Sequence, residues 1–509
     1  MGVAPGGSEL PADSSPAGAT PIGVGLLRIV GASAALAIGI EPAWGAIGPL
    51  GPIAHGVAAL FGLAPWLWIT RGAEPRRAFA LGFAVGSIAA AIVLRFLPSA
   101  VVARGALNPA AAAVAFAAFA AMHGVWLGGA SLIGAVLEAR GGPRWLGAVL
   151  GAALLERLLP SPLPFTVGAG LVELPFIAQV ADLGGPAALT VLAGLAAAAV
   201  AEPSRAARRL GAGAIGVAAI YGALRGRELD GAARSAPRLE VALVQGGIGE
   251  ARTSEGADIV VIGESALPGR LPERELDALL PALLGAGSPL LFGATLQRER
   301  AGDLNVALLA DREGHVAGSY AKRALLPFGE RKLFGLGASG ATYVAGERAP
   351  AMALAGTPIA VVICSEDLDE DRVAGAVRET RGEVVFDLAN DAWFAGSSGA
   401  ALHVSMARVR AIETGRYVVR ASLGGPSVVV DPRGRVVPAL EEGARGSTVR
   451  TVPRLAGGTV YGAVGSRAMI SIALGVVLAG AWWASRWRRS FTERACLERG
   501  RSGAVARID

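Results

Sequence analysis

Seven apolar runs crowd the first 225 residues of a 509-residue chain: 22–40, 53–69, 78–97, 109–137, 145–159, 186–201 and 210–224. Several reach the ~20 residues that an α-helix needs to cross a bilayer. Such a segment must satisfy its own backbone N–H and C=O groups, which confines this half of the chain to a bundle of membrane helices. Composition agrees: charged residues are 17% and hydrophobic residues 53%, too apolar for an ordinary water-soluble enzyme. Between the fifth and sixth runs, residues 161–185 are apolar but broken by Pro162, Pro164, Glu173 and Pro175, and read as a re-entrant or interfacial loop.

The connecting charges orient the bundle. Loops 71–77, 138–144 and 202–209 are rich in arginine, whereas 161–185 holds no Lys or Arg and the loop around Arg104 holds little. Basic loops stay in the cytoplasm, so the segment after the seventh run lies outside it. A last apolar run returns the chain, and the tail after residue 485 carries seven arginines. The expected organisation is a leader over 1–21, disordered and without Lys or Arg, then a membrane domain over 22–225. A domain of different character follows over 238–453, then a last span over 466–485 and a basic cytoplasmic tail over 486–509, for about eight spans. The net charge of +6 is explained by membrane-edge loops, and no nucleic-acid signature accompanies it. The four histidines lie far apart without metal-ligand spacing, so no metal and no cofactor is expected.

Residues 238–453 alternate short β-branched runs with helical patterns. Strands are expected at 239–245, 258–262, 290–296, 305–310, 358–363, 384–388, 417–422 and 427–431, and helices at 271–284, 368–380 and 401–414. This is an α/β layered domain. Cys364, one of two cysteines, follows the run Val361-Val362-Ile363 and opens an acidic turn. A thiol at a strand end beside carboxylates is where an α/β enzyme places a nucleophile, although a free cysteine alone is more often a small core residue. Upstream, ADIVVIGES carries Glu264 and YAKRALLPFGE carries Lys322 and Glu330. A glutamate, a lysine and a cysteine, each at a strand end or turn, form a base, a cation and a nucleophile. A thiol of pKa about 8.5 is mostly protonated at neutral pH and needs both partners. Cys496, in the basic tail, has no such partners.

That constellation is the one of the nitrilase superfamily. The multi-span region, the stretches YAKRALLPFGE, ICSED and NDAWFAGSSGAALHVSMARVRAIETGRYVVRAS with DPRGRVV, and AQVADLGG in the membrane part resemble the apolipoprotein N-acyltransferases. The resemblance implies an α-β-β-α nitrilase-like sandwich on the extracytoplasmic side of a bacterial inner membrane. It implies catalytic roles for Glu264, Lys322 and Cys364, supporting roles for Glu330 and Glu366, and a place for Trp393 in the substrate pocket. The implied reaction moves a fatty acyl group from a phospholipid, through a cysteine thioester, to the α-amine of a diacylglyceryl-cysteine apolipoprotein, in an enzyme acting as a monomer. The alternatives are a membrane-tethered carbon–nitrogen hydrolase using water with the same three residues, and an inactive scaffold.

The chain departs from the family at three places. Ile262-Gly263 precede Glu264 where Trp-Pro is usual, Ser365 follows Cys364 in place of Tyr, and a short Arg/Ser/Glu stretch replaces a helix before Ala257. His403 reads as a hydrogen-bonding residue, and Arg408, Arg410, Glu413 and Arg416 read as ion pairs on a helix surface. Leu333, Phe334 and Leu336, in a glycine-rich stretch after Glu330, read either as a loop folded on its own domain or as a mobile arm that dips into lipid, with Phe334 and Leu336 touching substrate.

Overall fold

The computed structural model describes residues 21–41, 51–103, 106–159, 166–251, 256–284, 287–298, 302–332, 335, 337, 343–467 and 471. Every one of the seven apolar runs falls in helix. The first is α1 (Pro21–Ile40); the second is α2 (Gly51–Phe61) and α3 (Ala64–Thr70), interrupted at Gly62-Leu63. The third and fourth are α4 (Pro75–Val93), extended by α5 (Leu97–Ala103), and α6 (Pro109–Ala139). The fifth is α7 (Arg144–Leu158). Residues 51–70, 75–93, 109–139 and 181–201 form the four helical stretches long and apolar enough to cross a membrane among the described residues. The last apolar run, 468–485, apart from Ser471, and Cys496 lie outside the described residues, as do Leu333, Phe334 and Leu336.

From Thr166 on, the proline-broken stretch before the sixth run is tucked into protein. A 3-10 turn over Val167–Glu173 and the short α8 (Pro175–Ala178) are largely buried and lead into α9 (Ala181–Ala201). Its helical path is interrupted at Gly184 and Gly185, the latter at φ +63. Irregular backbone at this depth is tolerated because neighbouring helices cover it. The seventh run lies inside α10 (Arg205–Ser235), a single 31-residue helix capped at its start by the Ser204 hydroxyl. It delivers the chain to the α/β domain.

There, β1 (Arg238–Gln245), α11 (Ile248–Ala251), β2 (Ile259–Ile262), β3 (Leu271–Pro272), α12 (Leu276–Leu284), β4 (Leu290–Gln297), β5 (Leu304–Ala310) and β6 (Val316–Ala321) come first. Then follow β7 (Met352–Leu354), β8 (Thr357–Ile363), α13 (Glu370–Thr380), β9 (Val384–Asn390), α14 (Gly399–Thr414), β10 (Tyr417–Leu423), β11 (Ser427–Val430), β12 (Val436–Leu440) and β13 (Gly446–Pro453). Two sheets form, ordered β13-β1-β2-β4-β5-β6 and β12-β11-β10-β9-β8-β7. Side chains alternate between sheet faces with period two, and the buried clusters follow that period. Val241, Leu243, Val261, Leu291, Val361, Ile363 and Phe386 meet between the sheets. Their neighbours Val244, Ile262 and Phe292 pack with α12, while Val362, Val385 and Val418 pack with α13 and α14. The result is the α-β-β-α sandwich of a nitrilase-like domain.

One reading needs correcting. Arg410, Glu413 and Arg416 are not on a surface: they are 1%, 0% and 5% exposed. α14 sets Ala407 and Ala411 against the second sheet and Val409 and Ile412 into the membrane-helix core, so it is covered on both sides. Arg408 points at the membrane bundle instead and donates to Glu173 Oε1 at 2.5 Å and to the Val172 carbonyl at 2.8 Å. Arg157 of α7 pairs with Glu370 of α13, and Asp230 of α10 accepts from Arg433 and Arg435.

Candidate active site

β2, β6 and β8 end at the same edge of the sandwich. Glu264 follows β2, Lys322 follows β6 and Cys364 follows β8, and all three line one cavity of about 100 Å³ with Asn305, Glu330, Trp393, Phe394 and His403. Glu264 reaches this position because two glycines let backbones close up. A Cβ at Gly293 of β4 would sit 2.5 Å from the Glu264 Cα, and one at Gly263 would sit 2.5 Å from the Ala389 carbonyl. The Glu264 N–H donates to that carbonyl at 3.1 Å, tying the first sheet's end to β9. Gly263, where the resemblance has proline, is therefore required here by close approach.

Lys322 is 2% exposed. Its Nζ donates to Glu264 Oε1 at 3.1 Å and to Glu330 Oε1 at 2.8 Å. Asn305, at the start of β5, donates its amide to the same two oxygens at 2.7 and 2.8 Å. The free Glu330 oxygen accepts the Leu326 N–H at 2.7 Å, which fixes the turn that carries it. Burial alone would lower the lysine's pKa, but the Glu264 and Glu330 carboxylates outweigh it and hold Lys322 protonated, well above its ordinary range.

Cys364 sits at φ +51, a left-handed backbone that a non-glycine residue seldom adopts. The turn aims its side chain at the cavity, where it is 8% exposed. Burial, then the Glu264 charge, push its thiol well up from its usual range; Lys322 and the Asn390 N–H pull the other way. That direction favours the protonated thiol over the thiolate.

Glu366 does not face the reacting groups. Fully buried, it accepts from Tyr320 Oη, Ile363 N, Arg323 N and Ala324 N at 2.7 to 3.0 Å, and so clamps the end of β6 to the end of β8. Burial raises its pKa despite those donors. Its ties run to backbone next to Lys322 and Cys364. Trp393 lies over Gly329, and Phe394 packs on His403 at the inner wall.

Several residues at this site were not singled out in the sequence. Asp391 holds Arg420 in a two-point pair at 2.6 and 3.1 Å and meets His403 Nδ1 at 3.1 Å, while Asp387 lies 2.9 Å from the Arg420 Nε. Asp367 completes the set at 3.6 Å. Burial would raise the Asp391 pKa, but Arg420 and His403 bring it below the usual carboxylate range; burial and Asp367 push Asp387 well up. This buried charge set had one signal: a lone charge in each of two apolar strands, Asp387 and Arg420, which are direct partners in the β9–β10 register. Asn305 and Phe394 carried none.

The two-sheet sandwich with Glu264, Lys322 and Cys364 at adjoining strand ends falls within residues 232–459, which match the carbon–nitrogen hydrolase family model. Residues 45–199 match the model of the apolipoprotein N-acyltransferase N-terminal domain. Among curated proteins, the apolipoprotein N-acyltransferase of Bradyrhizobium diazoefficiens is 35% identical over 247 residues, 44% of this chain and 45% of that protein. That of Chromobacterium violaceum is 29% identical over 405 residues, covering 71% and 77%. The matched stretch thus spans about half the length of the Bradyrhizobium relative. An amidase from Nesterenkonia sp. aligns over 42% of this chain and 90% of its own, at 20% identity and a TM-score of 0.34. Both the helical part and the α/β part of the chain are thus similar to apolipoprotein N-acyltransferases.

Proposed function

We propose that the protein transfers a fatty acyl group from a membrane phospholipid, through a thioester on Cys364, to the α-amine of a diacylglyceryl-cysteine apolipoprotein. One observation carries the choice of a lipid donor. Phe394 of the cavity wall packs edge to face on Phe96, at the junction of α4 and α5, with ring centroids 5.3 Å apart. The wall of the cavity therefore rests against the membrane bundle.

In this reading Glu264 takes the Cys364 proton, and the thiolate attacks the ester carbonyl. Lys322 stabilises the oxyanion through a charge already fixed in place. The intermediate expels the lysophospholipid oxygen, which receives the proton from Glu264. The incoming amine then attacks the thioester carbonyl and gives up a proton to Glu264, and the departing sulfur takes it back. Glu330 holds Lys322, Glu366 holds the two strand ends, and Trp393 contacts substrate; Phe334 and Leu336 are assigned to lipid contact. The arrangement proposed is about eight spans in a bacterial inner membrane, with a membrane domain over 22–225, a periplasmic catalytic domain over 238–453 and a single chain as the working unit. The arginine-rich loops support that orientation.

Intact-mass measurement after incubation with phospholipid vesicles tests the reading. An acyl adduct on the protein that moves to a diacylglyceryl-cysteine peptide is the expected result. An adduct that water discharges equally fast with and without the peptide would make the protein a hydrolase, and no adduct at all would sink both.

A further inference from the structure

A second unassigned site lies at the opposite end of the helix bundle. α10 starts there and reaches the α/β domain only after 31 residues, roughly 45 Å of helix. Two cavities of about 350 and 590 Å³ open at this end and share Trp68 and Arg71 in their walls. Arg28 and Arg77 line the first; Arg208 and a single carboxylate, Glu202, line the second. The Arg28 guanidinium lies 5.0 Å above the centre of the Trp68 ring, and Trp68 is 45% exposed. Among the described residues, no carboxylate forms an ion pair with Arg28, Arg71, Arg77 or Arg208; Arg71 and Arg208 reach only the carbonyls of Ala201 and Pro203.

Arg28 is not in a loop. It lies within α1, flanked by Leu26, Leu27 and Val30, all largely exposed on the outer surface of the bundle. A guanidinium among apolar side chains at membrane depth is costly unless an anion meets it. Arginines placed only to orient a chain need neither a cavity nor a stacked ring. Beyond the groove the rim continues in exposed apolar side chains on both sides, Leu26 and Leu27 of α1 and Val200 and Leu210 of α9 and α10.

We propose that this groove binds the phosphate of an anionic phospholipid, in the leaflet away from the catalytic domain. Arg28, Arg71 and Arg77 donate to the phosphate oxygens. Trp68 walls the headgroup as interfacial tryptophans do, and the acyl chains run along the exposed apolar rim. The apolar rim selects a lipid over free phosphate. The site is separate from Cys364 and independent of the reaction assigned there.

The test uses the full-length protein in detergent, given phosphatidylglycerol, phosphatidylcholine or inorganic phosphate, with retained lipid counted by native mass spectrometry. Phosphatidylglycerol should be retained and phosphatidylcholine should not. The pair Arg28→Gln and Arg71→Gln should weaken retention roughly tenfold or more. Trp68→Ala, which keeps every charge, should weaken it too. The pair Arg76→Gln and Arg209→Gln removes as much charge from the same end, outside the cavity walls, and should leave retention unchanged. Equal loss in both arginine pairs would reduce the feature to diffuse surface charge. Displacement of the lipid by inorganic phosphate at equal concentration would make it a free-anion site. Either result overturns the proposal, and an unchanged unfolding midpoint shows that a variant has folded.

Discussion

Phe96 and Phe394 meet edge to face, with an interplanar angle of 79°. One belongs to the corner of the membrane bundle, the other to the wall of the cavity that holds Cys364. Gly399 allows the approach, since a Cβ there would sit 2.9 Å from the Phe96 ring and 2.7 Å from Phe394.

Phe96→Leu keeps an apolar contact but removes the ring edge. Acylation of Cys364 from vesicle phospholipid should fall on the order of tenfold, because the long acyl chain loses the support that positions its ester while the thiol and its partners stay in place. Acylation by a water-soluble short-chain ester should stay within about twofold. Single-turnover rates with the two donors check this, and equal losses would place Phe96 in the catalytic fold itself.

Cys364→Ser should abolish the acyl adduct, whereas Cys496→Ser should leave it intact. Glu264→Gln keeps the hydrogen bond from Asn305 but cannot take a proton, and should slow adduct formation by about 10²–10⁴. Intact-mass time courses report both. A full adduct on the serine variant would remove Cys364 from its assigned role.

Gly293→Ala tests the backbone approach under Glu264. The new methyl would fall 2.5 Å from the Glu264 Cα and 2.6 Å from the Ser265 nitrogen, and neither can yield without moving the carboxylate off Lys322. Adduct formation should drop by about 10² or more, with the membrane bundle still folded. Wild-type rates in this variant would show that the strand end is free to shift.

Stability should decline with pH between about 4.5 and 8 because of Glu413. Burial is the main cause that pushes this carboxyl up to about 8 from an ordinary value of 4.5, and the neighbouring Arg410 only partly offsets it. The native state thus keeps a proton that the unfolded chain releases, so the contribution is full below about 4.5 and lost as pH rises through 8. Glu413→Gln should flatten that slope without removing it, since Asp387 and Glu366 are raised in the same direction. Thermal unfolding in detergent across this range is the measurement. An unchanged slope would mean that Glu413 is ionised in the folded protein.

Arg420→Met leaves Asp367, Asp387 and Asp391 buried together without their cation. Removing one partner of a buried charge set costs about 3–5 kcal/mol. Part is recovered if the aspartates protonate, so the loss should be smaller at pH 5 than at pH 8. A loss independent of pH would place the cost in packing.

How much could be read in advance follows from where the information sits. Eight strands announced themselves as β-branched runs, because inner strands of a two-layer sandwich are apolar on both faces. β3, β6, β7, β12 and β13 did not. β3 is two residues opening a stretch expected as helix over 271–284, where the helix begins only at Leu276. VAGSYA and GSTVRTVP hold few bulky apolar residues, β12 contains Pro438, and β7 is three residues long. The spacing of Arg410 and Glu413 is the same on an exposed helix and on a covered one, and only the bundle packed against α14 tells them apart. The motifs around Glu264, Lys322 and Cys364 are contiguous in sequence and could be read as strand ends. Asn305 and the Arg420 charge set exist only once β5 aligns with β6, and β10 with β9.

α10 runs from its Ser204 cap to Ser235 with no proline and no break, and β1 begins at Arg238. A rod of that kind works as a gauge. It sets the distance between the Ser204 end of the bundle and the α/β domain by counting residues, and Asp230 ties the upper end through Arg433 and Arg435. In the reaction proposed above, a centre held in this way would not stoop toward its donor, and each lipid would climb to meet it.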